Sequence, residues 1–116
     1  MENCICSFGS PKVSICQGDQ YPIKIHLVDA TDTTIPQSAV EVVEVTIGDT
    51  IKKYPGDITY DNEIERWLYP LTQEETFALR AMPRRAQLRA KTVDGKVYSA
   101  SLGMIDIEES LSKEVL

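Results

Sequence analysis

Three cysteines, Cys4, Cys6 and Cys16, and one histidine, His26, are the side chains of this 116-residue sequence best suited to nucleophilic or metal chemistry. A Cys-x-Cys pair with a third thiol could ligate a soft metal, but a closed structural zinc site takes four ligands, and the single imidazole is the only candidate to complete it. Alternation around His26 puts it on the polar side of its run, so nothing directs it toward the thiols. Free thiols are the expectation, because an odd number of cysteines without a signal-peptide pattern does not suggest a disulfide framework. Cys16 with His26 as base is conceivable only if folding brings them together. The pairs Glu74-Glu75 and Glu108-Glu109 are sequence neighbours that fit solvated faces better than a tuned acid and base, and no glycine-rich strand-to-helix loop offers a phosphate cradle. The expectation is therefore no catalytic residue, no metal, no cofactor and no enzymatic activity.

Two further groups could make a surface. Arg80, Arg84 and Arg85, followed by Arg89 and Lys91, are the only basic cluster; it either meets an acidic neighbour or keeps a strand edge from pairing with strangers. Trp67, the only tryptophan, is a core anchor between sheets or, with Tyr54, Tyr60 and Tyr69, a platform for a carbohydrate. The formal charge of −6, from 18 acidic and 12 basic side chains, argues against nucleic acid or an anionic membrane as partner. No apolar run approaches the ~20 residues that span a bilayer. Met1 to Ser10 has neither the basic start nor the apolar centre of a signal peptide, so a chain that folds in a cytoplasm is expected.

The elements that must position these residues centre on Ala86 to Ile107. Leu88 and Ala90, then Tyr98, Ala100 and Leu102, alternate with polar residues on either side of Asp94-Gly95, which predicts a hairpin closed by a two-residue type I′ turn. Gly103, where the pattern moves to Ile105 and Ile107, marks a bulge. A lone hairpin is marginal in water, so the rest of the chain must cover its apolar face. Residues 1–11 read as a flexible or extended arm. Short alternating runs follow at Val13 and Ile15 and at Ile23, Ile25 and Leu27, with Asp29 to Gln37 a loop. Val40 to Ile47 is a strand whose apolar set shifts register at Val42 and Val43, through a bulge there or burial on both faces, and Ile51 to Tyr54 returns from it with Lys52 and Lys53 on the open side. Trp67, Tyr69 and Leu71 share a face. Thr72 and Glu75 form a capping box for a short helix from Gln73 to about Leu79, which Pro83 keeps short.

About seven short strands with turn signals every 8 to 12 residues and one short connecting helix predict an all-β fold, an immunoglobulin-like antiparallel β-sandwich over residues 12–108, with a tail or short helix over 109–116. Gln17-Gly18-Asp19 before an alternating strand that ends in Asp29, the step Leu71-Thr72-Gln73-Glu74-Glu75, the Asp94-Gly95 hairpin and a closing strand at Ile105 to Ile107 together make the chain similar to small prophage-encoded domains of Gram-positive bacteria. In particular it resembles the N-terminal domain of the phage baseplate upper protein. The resemblance implies a structural virion protein of tail, baseplate or neck, working with other phage structural proteins and able to form a homo-oligomer. It transfers no catalytic or ligand residue. The surface expected to serve assembly is Leu111, Val115 and Leu116 of the terminal segment, with Arg84 and Arg85; its setting would be the virion, after assembly in the bacterial cytoplasm. The alternative is a carbohydrate-binding sandwich that uses Trp67 and the neighbouring tyrosines.

Overall fold

The computed structural model describes residues 4–7 and 13–116, with the side chains of 4–7 and of Val13 outside that description. The strands are β1 (Cys4–Ser7), β2 (Val13–Cys16), β3 (Ile23–Asp29), β4 (Val40–Ile47), β5 (Thr50–Tyr54), β6 (Thr59–Asp61), β7 (Arg66–Tyr69), β8 (Arg84–Thr92) and β9 (Val97–Glu108). Among the described residues a single 3-10 turn at Gln37–Ala39 precedes β4, and one helix, α1 (Gln73–Ala78), lies between β7 and β8. A four-stranded sheet in the order β1-β3-β7-β6 faces a five-stranded sheet in the order β2-β9-β8-β4-β5. The fold is an immunoglobulin-like β-sandwich.

The core is what the period-two runs dictate. Ile23, Ile25, Leu27, Trp67 and Tyr69 from one sheet meet Ile15, Val43, Val45, Ile47, Leu88, Ile105 and Ile107 from the other, all buried. On β8 the exposed Arg85, Gln87, Arg89 and Lys91 alternate with buried Ala86, Leu88, Ala90 and Thr92. That stripe needs no special propensity, because a strand with one face on a core and one in water is forced into it.

Several details differ from the sequence expectation. Cys4–Ser7, inside the segment read as an arm, form β1 and pair antiparallel with β3, Cys4 opposite Asp29; the rest of that segment lies outside the described residues. The strand pair β2–β9 is parallel, Val13 opposite Ile105, a pairing that alternation within a strand does not encode. The β8–β9 hairpin forms, but its turn has three residues: Thr92 N–H donates to Lys96 O at 2.9 Å and Gly95 N–H to Thr92 O at 2.9 Å. Only Gly95 takes a positive φ, 89°, while Asp94 stays on the negative side. A type I turn closed by a left-handed glycine gives the same strand twist as the expected type I′ turn without placing Asp94 in a costly region. Asp94 instead uses its carboxylate to accept from the Thr92 hydroxyl. Register shifts mark both expected bulges, one between Val40 and Val42 against β8, the other opposite Ala86 and Gln87 where Gly103 has φ 88°.

Candidate assembly surface

Beyond β9 the chain runs past the β2–β3 loop to the start of α1, and no helix forms over residues 109–116. Two glutamines take up its polar groups. Gln17 Oε1 accepts from Ser110 N–H at 3.4 Å and from Lys113 Nζ at 2.8 Å. Gln73 Oε1 accepts from Leu116 N–H at 2.6 Å and its Nε2 donates to Leu116 O at 3.0 Å. Gln73 stands where the capping box puts it: Thr72 Oγ1 accepts from Glu75 N–H at 3.2 Å while Glu75 Oε1 accepts from Thr72 N–H at 2.9 Å. Thr76, buried in the helix, accepts from Gly18 N–H at 2.9 Å and donates to Asp19 O at 2.9 Å, which fixes the Gln17 loop against α1. So the segment is held through backbone groups of Ser110 and Leu116 and the Lys113 ammonium, and its apolar side chains are left over. Leu111 and Leu116 are fully exposed and Val115 is 56% exposed. Covering such a side chain contributes about 1.5–3 kcal/mol, which makes the segment a place where a partner gains.

The two arginines expected beside it separate. Arg85 points outward from the five-stranded sheet and is exposed, in line with Arg89 and Lys91. Arg84 faces the other way. Its side chain is 17% exposed, its Nη2 lies 3.4 Å from Asp49 Oδ2, and its guanidinium fills the space over Gly48, where a Cβ would come within 2.6 Å of it. Arg84 therefore braces the β4–β5 turn and is withdrawn from the assembly surface, because strand parity gives adjacent residues opposite faces. On the outer face, Glu44 is shared by Lys53 at 3.5 Å and Arg89 at 3.6 Å, and Glu41 lies 4.0 Å from Lys91. Exposed pairs of this kind contribute little to stability, and with Asp106 and Glu108 of β9, which alternate with the buried Ile105 and Ile107, the face carries both signs of charge.

Lys52 overturns the expectation of an open position. It turns inward with a side chain 12% exposed, donating to Pro70 O at 2.6 Å and to Glu75 Oε1 at 2.9 Å, with its ammonium 5.4 Å from the centre of the Tyr69 ring. Ile51 takes the outer position instead and is 57% exposed. The lysine thus ties the edge strand β5 to α1. Burial pushes the Glu75 carboxyl up, but hydrogen bonds from Lys52 and from the Thr72 N–H outweigh that and leave it below its ordinary value. Burial, with Glu75 and Asp57 nearby, raises the Tyr69 phenol, whose hydroxyl donates to Thr50 O at 3.2 Å.

Cys16 and His26, weighed as a nucleophile and its base, have separate partners. Cys16 Sγ lies 3.9 Å from Glu109 O, whereas His26 Nε2 is hydrogen-bonded to Thr34 Oγ1 at 3.0 Å. Burial and the nearby Arg66 lower the His26 pKa below 6.5, so the ring is neutral at pH 7. Cys16 is a free thiol; the side chains of Cys4 and Cys6 lie outside the described residues. Among the described residues no three His, Cys, Asp or Glu side chains gather as a metal site, and no helix is long and apolar enough to cross a membrane. Trp67 is 1% exposed, enclosed by Tyr54 and Tyr60, whose rings each meet it edge-on at 4.8 Å. It is a core anchor, and its face is not open to a sugar. Sequence reasoning missed Gln17, Gln73 and Lys52; the polar neighbours of an N-cap were the only signal for Gln73.

No protein-family model matches the chain, and no curated protein matches it. Solved structures do. The chain is similar to the fibronectin(III)-like modules of CbhA from Clostridium thermocellum, at 16% identity and a TM-score of 0.52, covering 89% of this chain and 94% of that one. It also matches titin immunoglobulin tandem domains, at 13% identity and a TM-score of 0.47, covering 87% of this chain and 45% of that one. At such identities the first likeness speaks to the sandwich fold alone, and agrees with the two sheets described above.

Proposed function

We propose that this chain is a non-enzymatic assembly module of a phage virion, placed in the tail or baseplate. The observation that carries an assembly role is the terminal segment: Leu111, Val115 and Leu116 present apolar surface from a backbone pinned by Gln17 and Gln73. Pinning matters because a segment already ordered loses less entropy when a partner covers it. Arg85, Arg89 and Lys91 form an exposed row of cations along β8, flanked by Glu41, Glu44, Asp106 and Glu108, so the outer face offers both signs of charge to a neighbouring subunit. The phage setting is supported by the sequence resemblance to the N-terminal domain of the baseplate upper protein, whose motifs fall here on the β2–β3 loop, the α1 cap, the β8–β9 hairpin and the end of β9. Partners would be other phage structural proteins or further copies of this chain, in the virion and, during assembly, in the bacterial cytoplasm. The carbohydrate reading that stacks a sugar on Trp67 loses its platform to burial.

The test is to purify particles after prophage induction in the strain that carries the gene, identify their proteins by mass spectrometry and locate this one with gold-labelled antibody. The expected result is many copies at the tail or baseplate. Absence from intact particles that contain the other structural proteins would overturn the reading.

A further inference from the structure

The end of the sandwich opposite α1 carries a cleft of about 360 Å³, between the β3–β4 loop and the β6–β7 turn. Thr34, Pro36, Gln37, Ser38, Tyr60, Asn62 and Glu65 line it. Its volume falls within the range of small-molecule sites. Hydrogen bonds behind the wall hold several of these residues. Gln37 Nε2 donates to Tyr54 OH at 3.0 Å, Thr34 Oγ1 is bonded to His26 Nε2 at 3.0 Å, and the half-buried Tyr60 ring is braced edge-on by Trp67.

The turn that brings Glu65 to the cleft is fixed at both ends. Asp61 Oδ1 accepts from Glu63 N–H at 2.9 Å, and Arg66 Nη1 donates to Ile64 O at 3.0 Å and Glu65 O at 3.1 Å. Glu65 itself has φ 54°, a left-handed conformation that glycine or asparagine takes more cheaply. The chain therefore holds an acidic residue at a position where its backbone argues against one, and that residue lines the cleft.

We propose that this cleft is a binding site for a neutral saccharide, one or two sugar units at the end of a longer chain. Two amides and two hydroxyls both donate and accept, as sugar hydroxyls do, and one carboxylate accepts from a pair of neighbouring hydroxyls. Tyr60 supplies a ring for the apolar face of a pyranose and a hydroxyl beside it. A phosphate would meet the charge of Glu65, a divalent cation would find a single carboxylate, and an apolar ligand would find only Pro36 and Tyr60 as apolar walls. This site is separate from the terminal segment, so its failure would leave the assembly role standing.

The test is an amide-resolved NMR titration of the full chain with neutral oligosaccharides built on glucose, galactose, rhamnose and N-acetylglucosamine, at millimolar concentration. At least one should shift amides confined to residues 34–38 and 60–65. Tyr60→Ala and Glu65→Gly should each weaken that binding about tenfold or more, as loss of a charged or stacking contact does. Glu65→Gly separates binding from folding, since it relieves the turn and should raise the melting temperature while weakening the binding. Absence of shifts in that region with every sugar, or binding that Glu65→Gly leaves intact, would overturn the proposal.

Discussion

Trp67 shows how a residue with functional promise is settled by its surroundings. Enclosed by Tyr54 and Tyr60 at 4.8 Å each, it fills the space between the sheets. Trp67→Ala should cost about 3–5 kcal/mol, measured by urea unfolding, as deletion of a buried aromatic does. Its fluorescence should be blue-shifted and resist acrylamide until the chain unfolds. Lys52 and Glu75 make a second case. Lys52→Ala strands the Glu75 carboxylate and frees Pro70 O, and should cost about 1–3 kcal/mol. Because the folded-state pKa of Glu75 lies below its ordinary 4.5, the ionised form stabilises the fold above that value. Its contribution is lost as pH falls through the lower, folded pKa. Melting temperatures of the native chain and of Glu75→Gln should thus differ most near neutral pH and converge as pH drops below 4.5.

At the level of elements, what could be read from the sequence was whatever one strand or one turn decides by itself. The alternation of Leu88, Ala90, Ala100 and Leu102 placed β8 and β9, and Thr72 with Glu75 placed α1, because period and cap chemistry are local. Thr72→Ala should cost about 1 kcal/mol, visible as a lower urea midpoint, since the cap also aligns Gln73 with the terminal segment. What could not be read depends on partners far along the chain. The parallel pairing of β2 with β9, the recruitment of Cys4–Ser7 to β3 and the inward turn of Lys52 are of this kind. Lys52 looked solvent-facing because lysines usually are; the Glu75 carboxylate of α1 and the Pro70 carbonyl just ahead of that helix reverse it. Of the residues proposed for assembly, Leu111, Val115 and Leu116 are exposed, while Arg84 packs over Gly48 beside Asp49, which its sequence neighbours do not foretell.

For the whole molecule, the sandwich separates its surfaces. One end carries α1 and the terminal segment, the opposite end carries the Tyr60 cleft, and the outer face of the five-stranded sheet carries Arg85, Arg89 and Lys91. A module attached at the first end keeps the cleft free. Since Gln17 and Gln73 hold the terminal segment by polar contacts and its apolar side chains are exposed, removing residues 110–116 should leave the core and the melting temperature nearly unchanged. The central claim, that this segment drives assembly, is tested most directly by sedimentation velocity of the full chain and of a chain truncated after Glu109. A full chain that self-associates or binds its virion neighbour, beside a truncated chain that stays a folded monomer, is the predicted result. Association unchanged by the truncation, or absent from the full chain both alone and mixed with the other particle proteins, would contradict it.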